Sequence, residues 1–440
     1  MTWSIWDNRK YSVQVLWIGA FLLCFFKFPF GELEGLQNPY LWSACAVGMI
    51  VICLWKCRVT SWHLCWMCFL AWCAVGIIFG NPNPAFKSWQ RLIYLCVGLM
   101  LLSPMIETRR LDLLRQRIWW CVCAFVVVSC LVAFVYKSVD LCLGSKGIRS
   151  LTVVVPMGLG LSHLSAIAAV IGVNAVMRFR LKSWVVCVVY GYIGVCIFLL
   201  FEGGSRMGLL SLMLAIILLA MYYRSRGVAM FLSVLGGVTL LFCICPEWWY
   251  DLASVIYRKF NSGAMHGSLT WSRDSLWAAR WQEFVESPIY GVGLGAVRYF
   301  AAPWNNPEEI LSHGHIEPGS SWLGLLSQTG VVGFVLLVIP IVRIVVKGVK
   351  ELKRNIGHIG KGEDCPSVKS IFLSVDSIQL QMAVFLVLFI QSFTEGYLLA
   401  VGSFHFLMFW VVLSRIKMAF YAHVRIDCLN ERCRKVPSDY

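Results

Sequence analysis

The sequence is short of charge. Only 14% of its 440 residues are Asp, Glu, Lys or Arg, 59% are hydrophobic and the mean hydropathy is +0.72. A soluble globular chain is about a quarter charged and under half apolar. So few charges could not cover so apolar a core, because surface-to-volume scaling leaves much side-chain area facing solvent. A soluble enzyme, a disordered protein and a coiled coil are therefore excluded, and lipid is the expected solvent. Acidic residues are scarcer still, 23 against 38 Lys and Arg, for a net charge of +15. A cleavable signal is also lacking. The first apolar run carries Lys27 and is followed by Pro29, Phe30, Gly31 and Glu32 rather than a small-x-small site, so it is expected to be retained. The 19 cysteines form neither a disulfide framework nor a metal knuckle. Most, such as Cys121, Cys123, Cys130 and Cys187, sit inside apolar runs where a thiol acts as a small hydrophobe. Cys428 and Cys433 fall in a tail expected to stay reduced. No internal repeat is visible.

What is present is a series of apolar runs, each close to the roughly 17–25 residues needed to cross about 30 Å of hydrocarbon. Twelve can be read, near 12–30, 40–55, 61–80, 91–106, 118–136, 152–177, 184–201, 207–223, 227–245, 321–346, 378–397 and 399–418. They lack the period-2 alternation of barrel strands, which leaves helices. The last two nearly touch, so a tight turn is expected between Gly396 and Gly402. With a cytoplasmic N-terminus, 26 of the 38 cations fall on the inside, 11 outside and Lys27 within the first run. The expectation is an all-α polytopic membrane protein of about twelve spans with both termini inside. The +15 then reflects topology and no nucleic-acid partner is implied. The expected organisation is nine helices in 1–245, a loop subdomain at 246–320 on the outer face, three helices in 321–418 and a cytoplasmic tail at 419–440. A loop of that length is usually functional. It is rich in Trp, Tyr, Arg, Glu and His, where the rest of the chain is aliphatic.

Four features could carry chemistry. FEGGSRMG puts Glu202 and Arg206 between the seventh and eighth runs. Such an arginine either snorkels to the headgroups or binds phosphate. The second feature is LTWSRDSLWAARWQEFVESPIYGVGLGA. Its helical spacing sets Arg273 and Arg280 two turns apart on one face, ahead of Pro288 and the glycines at 291, 293 and 295. It reads as an interfacial amphipathic helix or as an arginine clamp for pyrophosphate. Third, His313, His315 and Glu317 in SHGHIEPGSSW are a solvated pair of histidines, a general base, or a zinc site lacking a fourth ligand. Fourth, Glu395 in QSFTEGYL lies at the outer end of the eleventh run, where an ionisable group wants an arginine partner, Arg206 or Arg273. Lys27 and His163 read as structural.

These segments resemble the O-antigen ligase and O-antigen polymerase superfamily of polytopic bacterial glycosyltransferases. The layout is similar over most of the chain and the motifs over 202–209 and 270–333. GGSRMG matches the family's Ser-Arg segment at the start of a helix, through Arg206. SRDSLW…ESPIYGVGLGA matches its arginine-started helix and Pro-x-x-Gly-x-Gly turn, through Arg273. Ser320, Gly330 and Gly333 keep its next spacing, His followed by Asn, Ser or Gln, nine residues, Gly, two residues, Gly. One position departs: Gly319 stands where the family has His. Either His313 or His315 supplies the imidazole, or the role has changed.

The resemblance implies a GT-C-like, metal-independent, inverting transferase of the bacterial inner membrane, without a cofactor. Its donor would be an undecaprenyl-pyrophosphate-linked glycan. Its acceptor would be a hydroxyl of a glycolipid (ligase) or of a lipid-linked repeat unit (polymerase). Membrane lipids and polysaccharide-assembly proteins such as a chain-length regulator would be its partners. In that reading Arg206, Arg273 and Arg280 hold the pyrophosphate and His313, His315 or Glu395 takes the acceptor proton. Two other classes compete. A transporter or flippase of lipid-linked oligosaccharide would show related halves and midplane polar groups. A zinc hydrolase would use His313, His315 and Glu317.

Overall fold

The computed structural model describes residues 39–54, 61–143, 161–179, 181–203, 205–223, 271–299, 319–355, 377–401 and 403–434. The chain is built of α1 (Pro39–Leu54), a two-residue strand β1 (Ser61–Trp62), α2 (Leu64–Gly80), α3 (Ser88–Leu102), β2 (Ile106–Glu107), α4 (Arg109–Leu143) and α5 (Leu161–Arg178). It continues with α6 (Ser183–Glu202), α7 (Arg206–Tyr223), α8 (Trp271–Glu286), α9 (Ser321–Asn355), α10 (Ile378–Gln391) and α11 (Phe404–Arg434). Every described helix but α8 coincides with an expected apolar run; the first and ninth runs, at 12–30 and 227–245, lie outside the described residues. Five of the described helices are long and apolar enough to cross a membrane, at 110–135, 161–178, 183–201, 206–223 and 321–354. Leu64–Gly80 and Ile378–Gln391 are shorter apolar helices. This is a membrane protein, and its helices are apolar on nearly all faces because lipid covers what the bundle does not. Trp184, Val188, Met213 and Met221 are accordingly exposed.

Several boundaries differ from expectation. The run at 61–80 begins with β1, which pairs antiparallel with β2 (Ser61 opposite Glu107, Trp62 opposite Ile106), so the run at 91–106 ends its helix at Leu102. The eleventh helix stops at Gln391 and the next starts at Phe404, so the expected tight turn is a twelve-residue connection spanning 392–403. Cys65 and Cys68 stand at C-x-x-C spacing in α2, and both thiols are free.

Contacts at the helix ends fix alternating directions. At one end, β1 and β2 pair beside a cluster of charge. Arg115 is fully buried and donates to Leu101 O at 2.8 Å, Met100 O at 3.0 Å and Asp112 at 3.2 Å. Lys417 meets Glu107 and His63, each at 2.5 Å. Cations expected on one side, Arg115 in α4 and Lys417 in α11, do gather there. At the opposite end lie the end of α2, the starts of α3, α5, α7, α9 and α11, and the ends of α6 and α10, together with all of the candidate site that is described.

Candidate functional site

Two halves of one motif, α8 with its following turn and the start of α9, fold against each other. Pro288 cannot continue a helix and ends α8. The turn after it then lies across α9 and α2. Gly330 explains how. Its backbone (φ 65°, ψ −176°) lies in a region essentially restricted to glycine, and it breaks α9. A Cβ there would overlap Ile289 O. At the break Val331 N donates to Pro288 O at 2.8 Å, while Val292 N donates to Ser327 O at 2.9 Å and Gly293 N to Gln328 O at 3.2 Å. Trp72 in α2 donates its indole N–H to Thr329 O at 3.1 Å. A Cβ on Gly333 would meet Thr329 and come within 3.2 Å of Trp72. Gly330 is thus required by backbone crossing and Gly333 by the close approach of side chains, which sequence spacing alone could not show.

Arg273, near the start of α8, reaches Glu395 in the connection after α10, with 3.0 Å between Nη2 and Oε1. Both are partly exposed, at 23% and 14% of the side chain. Arg273 is one of the two partners weighed for Glu395. The segment is held by Ser321, whose hydroxyl donates to Glu395 O at 2.6 Å and accepts from Tyr397 N at 3.0 Å and Leu398 N at 3.2 Å. Ser320 is buried, immediately precedes α9 and lines a cleft of about 80 Å³ with Arg91, Gly295, Ser321, Gln328 and Gly396. Gln328 Oε1 also accepts from Gly295 N at 2.9 Å. Arg91 and Gln328 went unremarked in the sequence. Arg91 left a signal, being an arginine counted outside at the mouth of an apolar run.

Arg280 does not join Arg273 in a clamp. Its side chain is fully buried, ion-paired with Glu283 at 3.0 Å and donating to Tyr299 O at 2.6 Å. Glu283 in turn accepts from Arg298 N at 2.7 Å and Tyr299 N at 3.1 Å. Burial pushes the Glu283 carboxyl above its ordinary pKa, against the opposing pull of Arg280 and of the backbone N–H groups. Equal helical spacing put the two arginines roughly on one face, but the turn after α8 folds back over Arg280 and uses it as a strut.

Gly319 has φ 71°, its carbonyl accepts from the Trp277 indole at 3.0 Å, and a Cβ would come within 2.8 Å of Leu276 Cβ. The backbone at this position is built for glycine, so an imidazole there would be strained and obstructed. His313, His315 and Glu317 lie outside the described residues. Among the described residues no group of three His, Cys, Asp or Glu side chains could hold a metal ion.

Arg206 is the half-buried first residue of α7, which packs along α10, the helix that leads into the Glu395 connection. Its neighbour Ser205 caps α7 by accepting Gly208 N at 3.0 Å. Both arginine segments therefore stand at the same end of the bundle as the cleft at the start of α9. Comparison with known families matches residues 191–338 to the family model described as O-antigen ligase. Comparison with curated proteins gives no match.

Proposed function

We propose that this chain, whose residues 191–338 match the O-antigen ligase family model, is one of the O-antigen ligase and polymerase superfamily and transfers a lipid-pyrophosphate-linked glycan to a sugar hydroxyl at the outer face of the bacterial inner membrane. The observation that carries the reading is the Arg273–Glu395 pair beside the Ser320 cleft, at the same end as Arg206. Donor and acceptor are both amphiphiles, so such a site belongs at a membrane interface. Pyrophosphate leaves readily once its growing charge is held, and fixed guanidinium groups supply that stabilisation. Arg206 and Arg273 are assigned this role, with Arg91 lining the cleft. A guanidinium has five donors in a planar fork, so Arg273 can keep Glu395 on one edge and accept a phosphate on another.

In the reaction the acceptor hydroxyl oxygen bonds the anomeric carbon as the bond from that carbon to the pyrophosphate oxygen breaks. The hydroxyl proton passes to a base, and inversion follows from the single displacement. Glu395 is the favoured base because it lies beside the arginine and the cleft, whereas position 319 offers no room for an imidazole. His313 and His315 are the alternatives. Arg273→Ala is expected to abolish the polysaccharide ladder on a gel of cells relying on this protein, at unchanged membrane abundance. A normal ladder would overturn the mechanism.

A further inference from the structure

We infer that His163 is a positioning residue for Arg206, acting through the Ser205 hydroxyl. The inference rests on the proposed reading of Arg206 as a ligand of the donor pyrophosphate.

The geometry runs through three helices. His163 lies in the first turn of α5 and is 6% exposed. Its Nε2 is 3.1 Å from Ser205 Oγ, and that same oxygen accepts Gly208 N at 3.0 Å. A serine hydroxyl can accept a backbone N–H while sharing its other hydrogen-bonding capacity with an imidazole, so both contacts form together. Ser205 is therefore held at both ends: by the helix it caps and by a histidine forty-two residues earlier in the chain. Arg206 is the next residue, and α7 cannot shift or rotate at its start without breaking one of these bonds.

The glycine after α6 serves the same contact. A Cβ on Gly203 would come within 2.6 Å of Ser162 Cβ, so only glycine lets the turn into α7 press onto the Ser162–His163 pair. The imidazole has an aromatic contact as well. His405 in α11 meets it edge-to-face at 5.7 Å, and Tyr397 stacks on His405 at 5.3 Å. Tyr397 belongs to the connection whose backbone Ser321 ties next to Glu395. One packed line of polar and aromatic side chains thus joins the Arg206 arm to the Glu395 arm, with His163 as the member that grips Ser205.

The test measures binding of undecaprenyl pyrophosphate, with undecaprenol as the uncharged control, to the full-length protein in detergent. His163→Leu and Ser205→Ala are each expected to weaken binding of the pyrophosphate lipid about fivefold, the scale of one lost hydrogen bond. Undecaprenol binding should not change. The double variant should bind no worse than either single one, since both remove the same link. His163→Gln, whose amide nitrogen can occupy the Nε2 position, should restore binding. If Arg206→Ala weakens binding but His163→Leu does not, or if the His163 and Ser205 effects multiply, the positioning role is overturned. Unchanged binding in Arg206→Ala would instead remove the reading of Arg206, and the role of His163 with it. Should His163→Leu fail to fold, the Gln and Ser205→Ala variants decide the matter.

Discussion

Single residues at this site divide by whether the protein uses them or leaves them available. Arg273 and Glu395 hold each other but stay partly exposed. Arg273→Lys keeps the charge and loses the fork, so transfer should fall about tenfold. Glu395→Gln keeps the shape and loses the base, and a fall of about a hundredfold is expected in a transfer assay at constant protein level. Gly319 makes the opposite case. Gly319→His puts back the residue type of the family and should still lower activity, because φ 71° and Leu276 exclude it. Positive-φ strain of this kind costs about 1–3 kcal/mol, which a thermal melt in detergent would register. Adding Leu276→Ala should not rescue Gly319→His, because alanine keeps the Cβ that lies 2.8 Å away and the backbone strain remains.

At the scale of elements, α8 shows how far a periodic pattern can be read. Its existence, its start near Arg273 and its stop at Pro288 were legible in the sequence, since helical spacing, proline and glycine are local signals. The inward turn of Arg280 was not, because it depends on where Tyr299 returns after the turn. Removing Arg280 strands a buried carboxylate. Arg280→Met should therefore destabilise by about 3–5 kcal/mol, and adding Glu283→Leu should recover part of that loss. The pH dependence has a definite sign. Glu283 already has a raised pKa, and without Arg280 it rises further. A raised carboxylate pKa means the folded state binds its proton more tightly, so the cost grows as pH climbs above the ordinary carboxylate range. Melting temperatures of Arg280→Met should drop more at pH 8 than at pH 5. The short helices tell a similar story of locality. The apolar run at 378–397 continues past Gln391 in composition but not in structure, because Ser321 from another helix captures the backbone at Tyr397 and Leu398.

For the whole molecule, the long apolar runs made the membrane-spanning helices readable, as burial in lipid requires long uniform segments. The meeting of Arg273 with Glu395, 122 positions apart, was readable only as a choice between two arginines. The tie from His163 to Ser205 was not readable at all, since a lone histidine in an apolar run carries no mark of its partner. The break in α9 has a wider consequence. Where that helix interrupts its own ladder at Gly330, the amide of Val331 and the carbonyls of Ser327 and Gln328 are taken up by Pro288, Val292 and Gly293. The turn after α8 thus stands in for a missing turn of helix, each segment completing the other's main-chain bonding. What the sequence must supply at the crossing is the absence of a Cβ: Gly291→Ala would drive one into the Gln328 backbone and Gly330→Ala into that of Ile289, forcing the two segments apart and leaving these main-chain groups without partners. Either variant should accumulate poorly in the membrane, as a blot of membrane fractions would show.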